Sequence, residues 1–317
     1  MKYEIIPSAF SLQPSAFSLS LIPHPSPLTM TTPSIQWYPG HIAKAEKALK
    51  EQLKLVDVVL EVRDMRIPLA TDHPKVTEWV GSKTRVLVLN RMDMILPSAR
   101  QLWLKWFKQQ GKEPYFTNAQ DGKGVLDVVK VMQRAGVEIN QRRKSRGMLP
   151  RPVRAVAIGF PNVGKSALIN RLLKRRVVES AARPGVTRQL RWVRISDQIE
   201  LLDAPGVIPL KLDNQSAAMK LAICDDIGDA SYDNQRVAAT LVDLLKNLAA
   251  NSTPDVLPEN PLFSRYELDP IPVMGEEYLH ALAELRYQGD VERTARQLLT
   301  DFRKGLLGAI ALELPPG

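Results

Sequence analysis

An α/β fold, with a mostly parallel sheet early in the chain and helices in its last third, is what this 317-residue sequence predicts. Three observations carry the prediction. Short apolar runs alternate with stretches of helical period up to about residue 203, the pattern of strands joined by crossover helices. One such run leads into a glycine-rich loop, "GFPNVGKS" at 159–166, and out into a helical stretch. Beyond residue 213 strand-like sequence gives way to several helical runs.

Residues 7–12 and 14–19 both read "PSAFSL", with Pro7, Pro14, Pro23, Pro25 and Pro27 in or beside them, so neither helix nor sheet pairing is favoured there. Ser and Pro interrupt any signal-peptide core, and residues 1–42 lack the arginines of a transit peptide. Residues 1–29 are therefore expected to be a disordered extension or a mis-assigned start ahead of Met30. The stretch 41–56 has helical spacing with lysines on one side. "DVVLEVRD" (57–64), "RVLVLN" (85–90) and "VRAVAIG" (153–159) read as buried strands, "PYFTNA" (114–119) as strand and loop, and 97–110 and 124–137 as helices. "LRWVRI" and "IELLDAPG" form an expected strand pair. The domains expected are 30–212 and a helical 213–317.

Composition narrows the class. A net charge of +9 points to a polyanionic partner, nucleic acid ahead of a membrane surface. No apolar run approaches the roughly 20 residues of a spanning helix. The lone Cys224 excludes a disulfide framework and a cysteine-rich zinc site, and it fits a reducing, cytoplasmic setting.

The loop 159–166 matches G-x-x-x-x-G-K-[ST] between a strand and a helix. Gly159 and Gly164 let backbone amides of Asn162, Val163, Gly164 and Ala167 turn toward phosphates, Lys165 reaches the β- and γ-phosphates, and Ser166 ligates Mg²⁺. In "DAPG" (203–206), Asp203 holds Mg²⁺ through water and the Gly206 amide meets the γ-phosphate; Thr187 in "RPGVTR" closes on the ion as a switch.

"NRMD" (90–93) has the spacing of N-K-x-D, so Asn90 and Asp93 suit guanine, whose N1 and exocyclic amine give a carboxylate two donors. Arg91 replaces the usual lysine, whose stem packs along the base and loop, and its longer stem is expected to do the same. Thr117, Asn118 and Ala119 offer backbone amides to the guanine oxygen. The base segment precedes the phosphate segment, the reverse of the common order. A parallel sheet tolerates this if close-lying ends are joined and new ends opened in a surface loop. The fold expected is thus a circularly permuted P-loop GTPase domain with a mostly parallel sheet, followed by an all-helical C-terminal domain.

This order, with "QWYPGH" (36–41), "DVVLEVRDMRIPLA" (57–70), "GFPNVGKS", "RPGVTR" and "DAPGV", closely resembles the ribosome biogenesis GTPase A family, from about Ile35 to the C-terminus. The resemblance implies a GTPase that binds the large ribosomal subunit precursor late in its maturation, with hydrolysis tied to release and C-terminal helices docked on ribosomal RNA. Val207 stands where many GTPases carry a water-orienting glutamine, and the resemblance gives that work to His41; the plainer reading has His41 merely starting a helix. It also implies K⁺ beside the phosphates at Asn162.

Arg293, Arg296, Arg303 and Lys304 lie on a helical stretch whose buried stripe is Val291, Ala295, Leu298, Leu299 and Phe302. They are the candidate RNA contacts, through shape and phosphate rather than bases, and no DNA partner is expected. The run "QRRKSR" (141–146) is either a solvated face or a further RNA contact. An RNA-binding module that senses nucleotide with little or no hydrolysis is the alternative, kept open by Val207 and Arg91.

Overall fold

The computed structural model describes residues 47–173, 191–203, 214–228, 232–251 and 254–316. A helix over 47–53 (α1) precedes strand β1 (Val58–Asp64). Then follow α2 (Val76–Val80), β2 (Thr84–Asn90), α3 (Pro97–Gln109), β3 (Pro114–Thr117), α4 (Val125–Ser145), β4 (Val153–Ile158) and α5 (Lys165–Leu172). The hairpin partners β5 (Arg191–Ser196) and β6 (Ile199–Asp203) complete the sheet. The remaining described elements are helical: α6 (Gln215–Ile223), α7 (Asn234–Asn251), α8 (Pro261–Tyr266), α9 (Gly275–Arg286) and α10 (Val291–Arg303).

The strand order is β3-β2-β1-β4-β6-β5, parallel throughout except for the antiparallel β5. From β1 the chain winds outward through β2 to β3, then returns to start β4 on the other side of β1. That reversal makes the β1/β4 boundary a topological switch point, where ligands settle outside the carboxyl ends of the strands. Asp64, Asn90, Ile158 and Asp203 end their strands on this one edge.

Alternation along the strands sorts the two faces. Val58, Leu60 and Val62 of β1 share an apolar cluster with Val128 and Met132 of α4 and Leu168 and Ile169 of α5. Val59 points the other way, clustering with Leu49 and Leu53 of α1 and Trp79 of α2, while Leu87 and Leu89 of β2 meet Trp103 and Phe107 of α3. The first cluster continues into α6, α7, α9 and α10, so sheet and C-terminal helices share one core. Helices on both faces of a mostly parallel sheet match the expectation. The basic run 141–146 falls on the last turns of α4, which extends eight residues beyond the helix expected to end at 137.

β1 departs from the apolar reading: all seven of its residues are buried, including Glu61, Arg63 and Asp64. Glu61 pairs with Arg63 at 2.7 Å and with Arg85 of β2 at 2.6 Å, and Arg63 reaches Asp72 at 2.7 Å. Charge enters a central strand here because each ion meets an opposite one.

Candidate nucleotide site

The loop after β4 is shaped by its glycines. Gly159 adopts φ +151°, and a Cβ there would sit 2.2 Å from the Val62 carbonyl of β1. Gly164 adopts φ +99°, and a Cβ there would meet Asn90 Nδ2 at 2.1 Å. Neither position accepts a side chain, so backbone alone forms the concave wall, which is what phosphate oxygens need. α5 opens at Lys165, adding its positive end. The Lys165 ammonium, 5% exposed, folds back over the loop and donates to the carbonyls of Gly159 at 3.2 Å and Phe160 at 2.6 Å. Ser166 follows in the first turn of α5, and the Asp203 backbone pairs with Ala157, placing the end of β6 beside the loop's origin.

Asn90 is the joint between the two halves of the site. Buried at 3% exposure, it donates from Nδ2 to the Val163 carbonyl at 2.9 Å. Its Oδ1 accepts from the Thr117 hydroxyl and from the Ala119 amide, both at 3.1 Å. The side chain expected to face guanine therefore binds the phosphate loop to the segment after β3. Asn118 shapes that segment by accepting the Gln120 amide at 2.9 Å through Oδ1.

Arg91 Nη2 donates to the Asn162 carbonyl of the phosphate loop at 2.7 Å, and its Nε lies 3.2 Å from Asp64 Oδ2. Asp93 sits exposed on the 3₁₀ turn Met92–Met94, with no protein partner among the described residues. Asn162 adopts φ +54°, and its Nδ2 donates to the Asp225 carbonyl at 2.7 Å and the Asp225 carboxylate at 3.2 Å. Val163 is buried, and Ala167 packs against the core.

Beneath the loop lies an ion network that sequence reading did not identify. Asp64 accepts from Arg66 Nη2 at 2.7 Å and Nε at 3.0 Å, both residues fully buried. Burial works to raise the Asp64 pKa, but the Arg66 and Arg91 guanidiniums outweigh it and hold the carboxyl below its usual range. Arg66 also donates to the Cys224 carbonyl at 3.0 Å. Asp226 behaves oppositely: fully buried, both carboxyl oxygens without a hydrogen-bond partner among the described residues, it is pushed well above the carboxylate range by burial and then by the Asp64 charge. The only sequence hint was "RDMR" closing an apolar strand.

The C-terminal basic residues divide. Arg293 and Arg296 are exposed, the latter paired with Glu292 at 2.7 Å, and Lys304 is exposed. Arg303 turns inward, donating to the carbonyls of Ala222 at 2.8 Å and Ile223 at 3.0 Å and to the Tyr232 hydroxyl at 2.9 Å. On the other basic run, Arg142, Lys144 and Arg146 are exposed, whereas Arg151 forms a two-pronged pair with Asp57. His41, Thr187, Gly206 and the side chain of Asp203 lie outside the described residues.

A lysine and a serine opening a helix from a glycine-bound loop, at the switch point of a parallel sheet, define a P-loop nucleotide hydrolase. Residues 154–254 match the family described as 50S ribosome-binding GTPase. Ribosome biogenesis GTPase A of Bacillus pumilus is 35% identical over 288 residues, covering 89% of this chain and 99% of that protein. The Priestia megaterium protein of that name is 35% identical over 289 residues, covering 89% and 97%. The GNP-bound YlqF structure from Thermotoga maritima, at 23% identity, shares the fold with a TM-score of 0.59 over 86% of this chain and 98% of that one. The chain belongs to the ribosome biogenesis GTPase A family, and it is a GTP hydrolase.

Proposed function

We propose that this GTPase binds the precursor of the large ribosomal subunit in the cytoplasm, assists its late assembly, and hydrolyses GTP to time its own release. The observation that carries the reading is the union of phosphate loop and guanine segment at one sheet edge, locked by Asn90, in a chain alignable with ribosome biogenesis GTPases over 89% of its length. In this reading Asp93 selects guanine, and backbone amides from Asn162 to Ala167 hold the phosphates while Lys165 leaves its loop carbonyls to reach them. Ser166, Asp203 and Thr187 are the residues that would hold Mg²⁺, which when bound neutralises charge on the phosphates. Gly206 would meet the γ-phosphate.

His41 orients the attacking water, because Val207 offers no hydrogen bond to it. Asn162 would help hold K⁺ beside the phosphates, where a second cation would offset developing charge. The nucleotide domain spans 30–212 and the helical domain 213–317, and the latter meets ribosomal RNA through Arg293, Arg296 and Lys304. Arg303, tied to α6, supports that surface from behind. The test is co-sedimentation with immature large subunits in the presence of a non-hydrolysable GTP analogue or of GDP. Binding that favours the analogue and weakens steeply with salt is expected; equal binding in both nucleotide states, or none, would refute the timing role.

A further inference from the structure

The end of α6 reaches into the phosphate loop. Asn162 Nδ2 faces the carbonyl and the carboxylate of Asp225. Both are acceptors, so the amide nitrogen must point to them and Oδ1 away, where no described residue donates to it. On the other side the Asn162 carbonyl is held by Arg91. The loop residue at φ +54° is thus gripped from two directions.

Asp225 is itself fixed in place. It adopts φ +65°, just past α6, whose last carbonyls carry no intrahelical partner. Arg303 of α10 caps those of Ala222 and Ile223, Arg66 caps that of Cys224, and the Arg303 guanidinium lies 4.0 Å from the Asp225 carboxylate. Guanidiniums at a helix C-terminus are favourable twice, as donors and as positive charge. The position of Asp225 is therefore set by the C-terminal helices.

We propose that Asp225 is a positioning residue of the phosphate loop: through Asn162 it fixes the loop conformation that receives GTP, and it makes that conformation depend on how α6 and α10 are seated. Whatever shifts α10 then changes nucleotide affinity, and nucleotide binding acts back on α10 by the same factor. The proposal rests on GTP occupying this loop, which Lys165→Ala checks separately by abolishing nucleotide binding.

The experiment is a double-mutant cycle on GTP and GDP affinity, read by fluorescent-nucleotide titration of the full chain without ribosomes. Asp225→Gly keeps the left-handed backbone and removes the carboxylate; Asn162→Ala removes the amide. Each is expected to weaken GTP about tenfold, the effect of one charge-assisted hydrogen bond. The double variant should be no weaker than Asn162→Ala alone, which removes the bonds to both the carbonyl and the carboxylate of Asp225. Asp225→Asn, which tolerates the backbone and still offers an oxygen, should recover most of the affinity, a rescue that loss of folding would not show. Wild-type affinity in Asp225→Gly, or losses that multiply in the double variant, would overturn the proposal. Should Asp225→Gly fail to fold, Asn162→Ala and Asp225→Asn are read singly, and wild-type GTP affinity in Asn162→Ala overturns it.

Discussion

Replacing Asn90 by alanine removes three hydrogen bonds at once from a side chain 3% exposed: to the Val163 carbonyl, from the Thr117 hydroxyl and from the Ala119 amide. At about 1 kcal/mol net each the loss is about 3 kcal/mol, and the groups left unpaired in the interior push it toward the upper end. A domain of this size loses roughly 2–4 °C in melting temperature per kcal/mol, so a fall of roughly 6–12 °C is expected. The three bonds join the phosphate loop to both base segments, so guanine-nucleotide affinity should fall along with stability. Thermal unfolding followed by circular dichroism, paired with nucleotide titration, checks both. A variant melting within 2 °C of wild type, or one that binds GTP normally, would refute the claim that Asn90 joins the two halves.

Arg91→Lys restores the common residue yet should weaken nucleotide binding, because one ammonium cannot reproduce a guanidinium shared between Asn162 and Asp64; titration that finds equal or tighter binding would count against it. Asp93→Asn should cost about 10- to 100-fold in GTP affinity while leaving the melting temperature nearly unchanged, since this exposed carboxylate has no protein partner among the described residues. Asp226→Asn is expected to stabilise the protein increasingly as pH rises above about 4. The folded pKa of Asp226 is raised, so its contribution is full below the unfolded value and is lost as pH climbs through the folded one. Asp64, held low, loses its contribution only at more acid pH, so denaturant titrations from pH 5 to 8 isolate Asp226.

Much of the architecture was legible because local pattern and tertiary role agree. Val58 to Val62 and Val153 to Ile158 are apolar enough to demand a buried strand, and Gly159, Gly164, Lys165 and Ser166 are spaced for a loop between strand and helix. The partners of the charged residues were not legible. Arg66 and Cys224 are 158 positions apart, Arg303 and Ile223 80 apart, and a charge in a sequence reads as surface until its distant partner is known. Asn90 and Arg91 show the same limit: the motif announces a base site, and that both side chains also bond to the phosphate loop is visible only in the fold. Arg303 carries a basic signature yet binds the carbonyls of Ala222 and Ile223, because α6 ends beside it.

The most direct measurement is GTP turnover with and without purified large ribosomal subunits, in KCl and in NaCl, for wild type and His41→Ala. The account predicts strong acceleration of the wild type by subunits, greater in KCl, and a variant that still binds GTP and subunits but barely responds. Turnover unchanged by subunits would contradict it.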